Sequence, residues 1–212
     1  MKKLFSIVLV LISPLIITAQ KGFSFGFDIT LQHTGYTSWT NRKPFNQIFI
    51  KPGFGIHIEY YLTEWFGLES GLGINLYTQE RSQFRNNFTY FSIPVLIKFN
   101  TPLQDKTTNE LKSWKPAAFI GLNNALLLRA VHHSTNEKES INRFTEKYHY
   151  DIIGGIGIKI RIRDNLFLDN YIIASLGNPV NTKEHNSVYG TIINMNFGIK
   201  SSLSYSVSKP SI

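Results

Sequence analysis

Nine charged residues hold the positions from which this chain could do chemistry: the acids Asp28, Glu59, Glu69, Asp151 and Asp169, and the bases Lys98, Lys159, Arg161 and Lys200. Each falls on the polar side of a segment in which apolar and polar residues alternate, with His57 close by. Groups of these types can pass protons to a substrate, hold a hard cation, or pair with one another out of water. A second set comprises His33, His132, His133, His149 and His185, in or beside segments that read as loops, with Ser134 and Ser187 near them. No histidine and serine form a nucleophile motif, and the adjacent His132 and His133 would point apart on a strand. Neither a catalytic site nor a metal site is therefore expected. The glycine pairs Gly53 and Gly55, Gly71 and Gly73, and Gly155 and Gly157 lack the third glycine and following helix of a dinucleotide loop. They read as packing positions, and no cofactor is expected.

The elements that must carry these groups are strands. Residues 22–31 read GFSFGFDITL, with Phe23, Phe25, Phe27, Ile29 and Leu31 on one face and Ser24, Gly26, Asp28 and Thr30 on the other. Period-2 alternation of this kind marks an extended chain with one apolar side. Further segments repeat it, with Ile56 and Ile58, Leu72 and Ile74, Ile93 and Val95, and Ile156, Ile158 and Ile160 on their apolar faces. The segment PAAFIGLNNALLL is apolar on both sides, and Ala118, Ile120, Leu122, Leu126 and Leu128 form its outer set. The whole chain reads as eight strands, most of about ten residues, the span a tilted strand needs to cross a bilayer. Connections alternate between long and short: loops near 33–49, 78–89, 129–149 and 177–189 against tight turns at 63–65 and 163–165. The link at 100–115 is long for the short-turn side, and the sequence assigns it no role.

The first residues, MKKLFSIVLVLISPLIITAQ, place Lys2 and Lys3 before an apolar run broken by Pro14 and followed by Ala19. This is the pattern of a secretory signal peptide over residues 1–19, leaving a mature chain of one domain over 20–212. Loss of Lys2 and Lys3, with no acid among those residues, lowers the formal net charge from +8 to +6. The absence of cysteine excludes disulfide scaffolds and thiolate metal sites. No second apolar run reaches the roughly 18 residues of a spanning helix, so residence in a membrane would require strands. Composition agrees, because 17% charged residues is below the roughly 25% of soluble domains.

Two solvents could suit the apolar rows: a protein core or lipid. The polar faces carry glycine, serine and asparagine with few charges, which suits a narrow lumen better than a wetted exterior. An eight-stranded barrel is only wide enough for side chains to fill it. Charges inside it are costly unless paired, so the nine form an expected ion-pair network that blocks the lumen. The alternative is that several stand in water at the rims. With the rows facing lipid, Ile156→Arg near the bilayer midplane is expected to cost about 2–4 kcal/mol, and Gly157→Ser less. Tyr60, Trp65, Phe66, Tyr77, Phe91, Phe99, Trp114, Tyr148 and Tyr189 stand near strand ends, where rings form interfacial girdles. Pro52 and Pro94 count against closure, because proline removes a ladder hydrogen bond.

At SIPVLIKF, residues 92–99, the chain resembles the PorT-like family of bacterial outer membrane beta-barrels. GIGIKIRI and LFLDNYIIASLGNP resemble that family too, and the likeness spans essentially the whole mature chain. The resemblance implies an all-β, eight-stranded antiparallel up-and-down transmembrane barrel; one member type is linked to protein secretion across the outer membrane. Such barrels commonly finish on an aromatic residue, a part that Tyr205 would play, with a short tail beyond.

The expected protein is a non-enzymatic, monomeric outer-membrane barrel with a structural, adhesive or envelope and secretion-machinery role. Two other readings stay open: a soluble periplasmic barrel binding a lipid or other apolar ligand, and a lipid A modifying outer-membrane enzyme. Expected partners are outer-membrane lipids and envelope proteins. Arg42, Lys43, Arg81, Arg85, Arg129, Lys138 and Arg143 either meet lipopolysaccharide phosphates or are simply solvated. Their dispersal makes no basic stripe, and nucleic acid is not an expected partner.

Overall fold

A computed structural model describes residues 22–38, 50–63, 65–81, 84–101, 113–133, 138–140, 147–177 and 192–207. The alternating segments form strands β1 (Phe23–Ser38), β2 (Ile50–Tyr61), β3 (Phe66–Arg81), β4 (Phe84–Asn100) and β5 (Trp114–His133). After them come the short β6 (Lys138–Ser140), then β7 (Tyr148–Arg163), β8 (Leu166–Gly177) and β9 (Ile192–Ser206). Every pairing is antiparallel, β1 pairs with both β2 and β9, and β4 pairs with β5. That last pairing closes eight strands into a ring, with β6 an appendage on the upper end of β5. Closure removes the sheet edges, so the ladder can satisfy the backbone without water.

The ring has a short-turn end and a long-loop end. At the first, Leu62 and Thr63 donate backbone hydrogen bonds to the carbonyl of Phe66, and Phe66 N–H donates to Thr63 Oγ1 at 3.0 Å. The turn from β7 to β8 is at the same end, as are the start of β1 and the finish of β9. The expected loop at 78–89 is corrected here: Thr78 pairs with Asn87 and Arg81 with Phe84, so β3 and β4 run on as one hairpin. Likewise β1 continues to Ser38, and β5 runs to His133, which places His132 and His133 on a strand. Barrel strands are 12 to 20 residues long rather than about ten. Above the apolar slab the outer face no longer needs apolar residues, so the alternation fades while the ladder continues.

Proline is accommodated in two ways. Pro52 lies beyond the point where the β2–β3 ladder begins, at Gly53 and Asn75. Pro94 is mid-strand, and the β3–β4 ladder skips it, passing from the Ser70–Val95 pair to Gly73–Ser92. Ser70 Oγ donates to the Pro94 carbonyl at 3.0 Å and supplies a bond there. Glycines are close-approach sites. An added Cβ at Gly26 would lie 2.7 Å from the His57 ring, and one at Gly155 2.8 Å from the tip of Phe119. At Gly157 the obstacle is backbone, the Asn170 carbonyl and Tyr171 Cα. Gly157→Ser is expected to lower the thermal unfolding midpoint more than Gly155→Ser, because a ring tip can move and a ladder cannot. Heat-dependent migration in detergent gels would check this, and equal midpoints would contradict it.

Candidate functional site

Inward-facing positions of the short-turn half bring the charged groups together. Lys98, only 1% exposed, donates to Glu59 and lies 2.9 Å from Glu69 Oε2 and 3.1 Å from Asp169 Oδ2. Lys159 Nζ lies 3.1 Å from Glu59 Oε2 and 3.2 Å from Asp169 Oδ2, and donates to Tyr61 Oη at 3.1 Å. Lys200 Nζ joins Glu69 at 2.5 Å to Asp28 at 3.3 Å. His57 Nδ1 stands 2.9 Å from Asp28 Oδ1. Seven of the nine residues thus form one connected cluster drawn from β1, β2, β3, β4, β7, β8 and β9. Each ammonium touches at least two carboxylates, the pairing that burial requires.

Uncharged neighbours complete the shell. Ser24 Oγ donates to Glu59 at 3.1 Å, Ser202 Oγ to Asp28 at 2.5 Å, and Tyr171 Oη to Asp169 at 3.3 Å. Rings lie beside the ammoniums: Tyr171 5.4 Å from Lys98, Tyr61 5.2 Å from Lys159, and Phe119 5.6 Å from Lys200. Lys115 of β5, buried with Tyr61 at 6.0 Å, was legible as an inward position, since it shares its face with Ala117 and Phe119.

Two of the nine lie elsewhere. Asp151 sits nearer the long-loop end, 2.9 Å from His149 Nε2. His149 is buried there against Tyr77 and Tyr90, with ring centroids 5.7 Å apart in each case. Arg161 is half-buried near the foot of β7, and among the described residues it makes no ion pair with the other eight. Tyr77 belongs to the interior, a correction to its expected place in an outer girdle: it is one residue out of phase with Leu76 on the lipid face. Trp65, Phe66 and Phe99 do gather outside at the short-turn end, with centroids 6.1 and 5.8 Å apart.

Chemically the cluster is a brace. Asp28, His57 and Glu69 offer ligand atoms within 4.8 Å of one another, a spacing a metal could use. Lys200 already bridges Asp28 and Glu69 with its own positive charge. Of the histidines, His33 is half-buried on β1, His132 Nδ1 lies 2.7 Å from Asn86 Oδ1 on β4, and His149 is the buried one just described. His185, Ser134, Ser187, Arg42, Lys43, Arg143 and Tyr189 fall outside the described residues, as does the 102–112 link.

The exterior is the reverse of the interior. Phe23, Phe25, Phe27, Ile56, Ile58, Leu72, Ile74, Ile93, Val95, Ile156 and Ile158 are all exposed, Phe27 at 64% and Ile156 at 70%. Ile160 faces the same way but is half-buried, paired with Trp114 and Leu168 on neighbouring strands. A belt of this extent is far beyond the apolar patches that water-soluble proteins expose. A closed antiparallel ring, apolar outside and charged within, is a membrane-spanning β-barrel.

The chain belongs to the outer membrane protein beta-barrel domain family, which matches residues 7–200. It lies in the bacterial outer membrane. Neisserial surface protein A has a similar structure, with a TM-score of 0.50 at 13% identity, over 85% of this chain and 96% of that one. Ail, the attachment invasion locus protein of Yersinia pestis, gives 0.46 at 13% identity over 87% and 99%. OprG of Pseudomonas aeruginosa gives 0.46 at 7% over 88% and 95%. No curated protein matches the sequence.

Proposed function

We propose that this protein is a non-enzymatic, PorT-like outer-membrane barrel, exported by a signal peptide over residues 1–19 and working as a structural, adhesive or secretion-machinery component of the envelope. In this reading residues 20–212 are one monomeric domain, with the short-turn end and both chain ends in the periplasm. The observation that carries it is Lys98 shared among three carboxylates from three other strands, because such a brace fills the lumen and leaves no through-pore. Work would then fall to the outer surface and the long-loop end. Arg85 and Arg129 are exposed near that end, where lipopolysaccharide phosphates lie in an outer leaflet.

A lipid A modifying role has less support. His149, the histidine paired with a carboxylate at the long-loop end, is enclosed by two tyrosines rather than presented at a rim. The experiment is twofold. Purified protein in planar bilayers is expected to show no steady conductance, and lipid A from a deletion strain is expected to keep its acylation pattern. Ohmic channels would overturn the plugged reading, and altered lipid A would overturn the non-enzymatic one. Cross-linking and pull-down from detergent-solubilised envelopes would then choose among the structural, adhesive and secretion roles.

A further inference from the structure

Above the charge cluster lies a cavity of about 60 Å³, with Asp28 and Lys200 at its floor. Gly53, Gly55 and Gly73 line one wall, and their lack of a side chain lets polar neighbours close over it. Two buried polar side chains border it: Asn123 at 8% exposed and Ser92 at 4%. Among the described residues the Asn123 carboxamide makes no hydrogen bond, which leaves its donors and acceptor available to whatever occupies the cavity. Thr30 and Asn75 bring a hydroxyl and a second carboxamide against Gly53 on that wall. Leu96, Pro94 and Ile153 supply apolar surface between these groups.

We propose that this chamber is a binding site for a small uncharged polyol. Hydroxyls and carboxamides both donate and accept, which matches a run of hydroxyl groups, whereas an anion or a cation would leave half of their own capacity unmet. The apolar stretches suit the C–H faces between those hydroxyls. A charged ligand finds no free counter-charge, because Asp28 and Lys200 at the floor are already committed to each other, to His57, to Ser202 and to Glu69. The space would take on the order of four waters, or a polyol of three or four carbons in their place.

The test uses the full chain in nanodiscs, labelled for detection of asparagine side-chain amides by NMR and titrated with glycerol and with erythritol. The Asn123 amide resonances are expected to shift and saturate with either polyol, while titration with urea or acetate gives no saturating change. Asn123→Leu, close in volume, is expected to weaken the apparent affinity by about tenfold, read at the other chamber residues. Gly73→Val, whose side chain would grow over Ser92 Oγ from an ideal Cβ distance of 3.0 Å, is expected to abolish it. If Gly73→Val does not fold, Asn123→Leu decides alone. A linear, non-saturating shift would mean that the chamber holds water only, and an affinity unchanged in Asn123→Leu would put the polyol outside it; either result would overturn the proposal.

Discussion

Replacing Lys98 with methionine is expected to lower the unfolding free energy of the barrel by about 3–5 kcal/mol, the cost of leaving buried charge without its partner. Methionine keeps most of the side-chain length, so the loss would report charge rather than a hole. Without the ammonium, Glu59, Glu69 and Asp169 face one another in a lumen where their side chains have no solvent exposure. Lys159 still reaches Glu59 and Asp169, and Lys200 still reaches Glu69, so the ring should close but more weakly. Adding Glu69→Gln to Lys98→Met is expected to return part of the loss, since one of the three stranded charges is then gone. Urea titration in lipid vesicles, followed through the exposed Trp65 and Trp114, would measure both variants. A loss under about 1 kcal/mol would place the cluster in the class of solvated surface pairs.

Ile156→Arg is expected to cost about 2–4 kcal/mol, because a guanidinium at the bilayer midplane must desolvate or thin the membrane around it. Ile156 is the eighth or ninth residue from either end of β7, is 70% exposed, and pairs with Ala118 and Ile172 on its neighbours. Tyr148 starts the same strand at the long-loop end and is 72% exposed, so exposure alone does not separate the two positions. Tyr148→Arg is expected to cost only about 0–1 kcal/mol, as arginine near an interface can reach water. The same vesicle assay compares them. Equal costs at the two depths would remove the assignment of Ile156 to the middle of the apolar slab.

How far the sequence could be read is clearest on β1. Phe23, Phe25, Phe27, Ile29 and Leu31 are all exposed and Ser24 and Gly26 all buried, as strict alternation demands of any strand between two solvents. Strand ends were less legible. The Tyr77–Phe88 and Thr78–Asn87 pairs continue the β3–β4 hairpin where the apolar signal has faded, since backbone hydrogen bonds leave no trace in residue type. Gly157 shows the same blindness from another direction: its sequence neighbours say nothing of the Asn170 carbonyl that abuts it.

By itself the sequence determined which residues share a face of a strand, because side-chain direction follows from parity along an extended chain and needs no knowledge of neighbours. From that pattern came the expectation of a barrel with charges inward and apolar rows toward lipid. Only the tertiary structure decided which charges meet. Glu69 and Lys200 stand 131 residues apart and are joined at 2.5 Å, whereas Asp151 and Arg161, inward on the same strand, lie at other heights and stay out of the cluster. Parity chooses the face, but height along the axis is set by ladder register and ring closure, which are summed over all eight strands and written in no one segment.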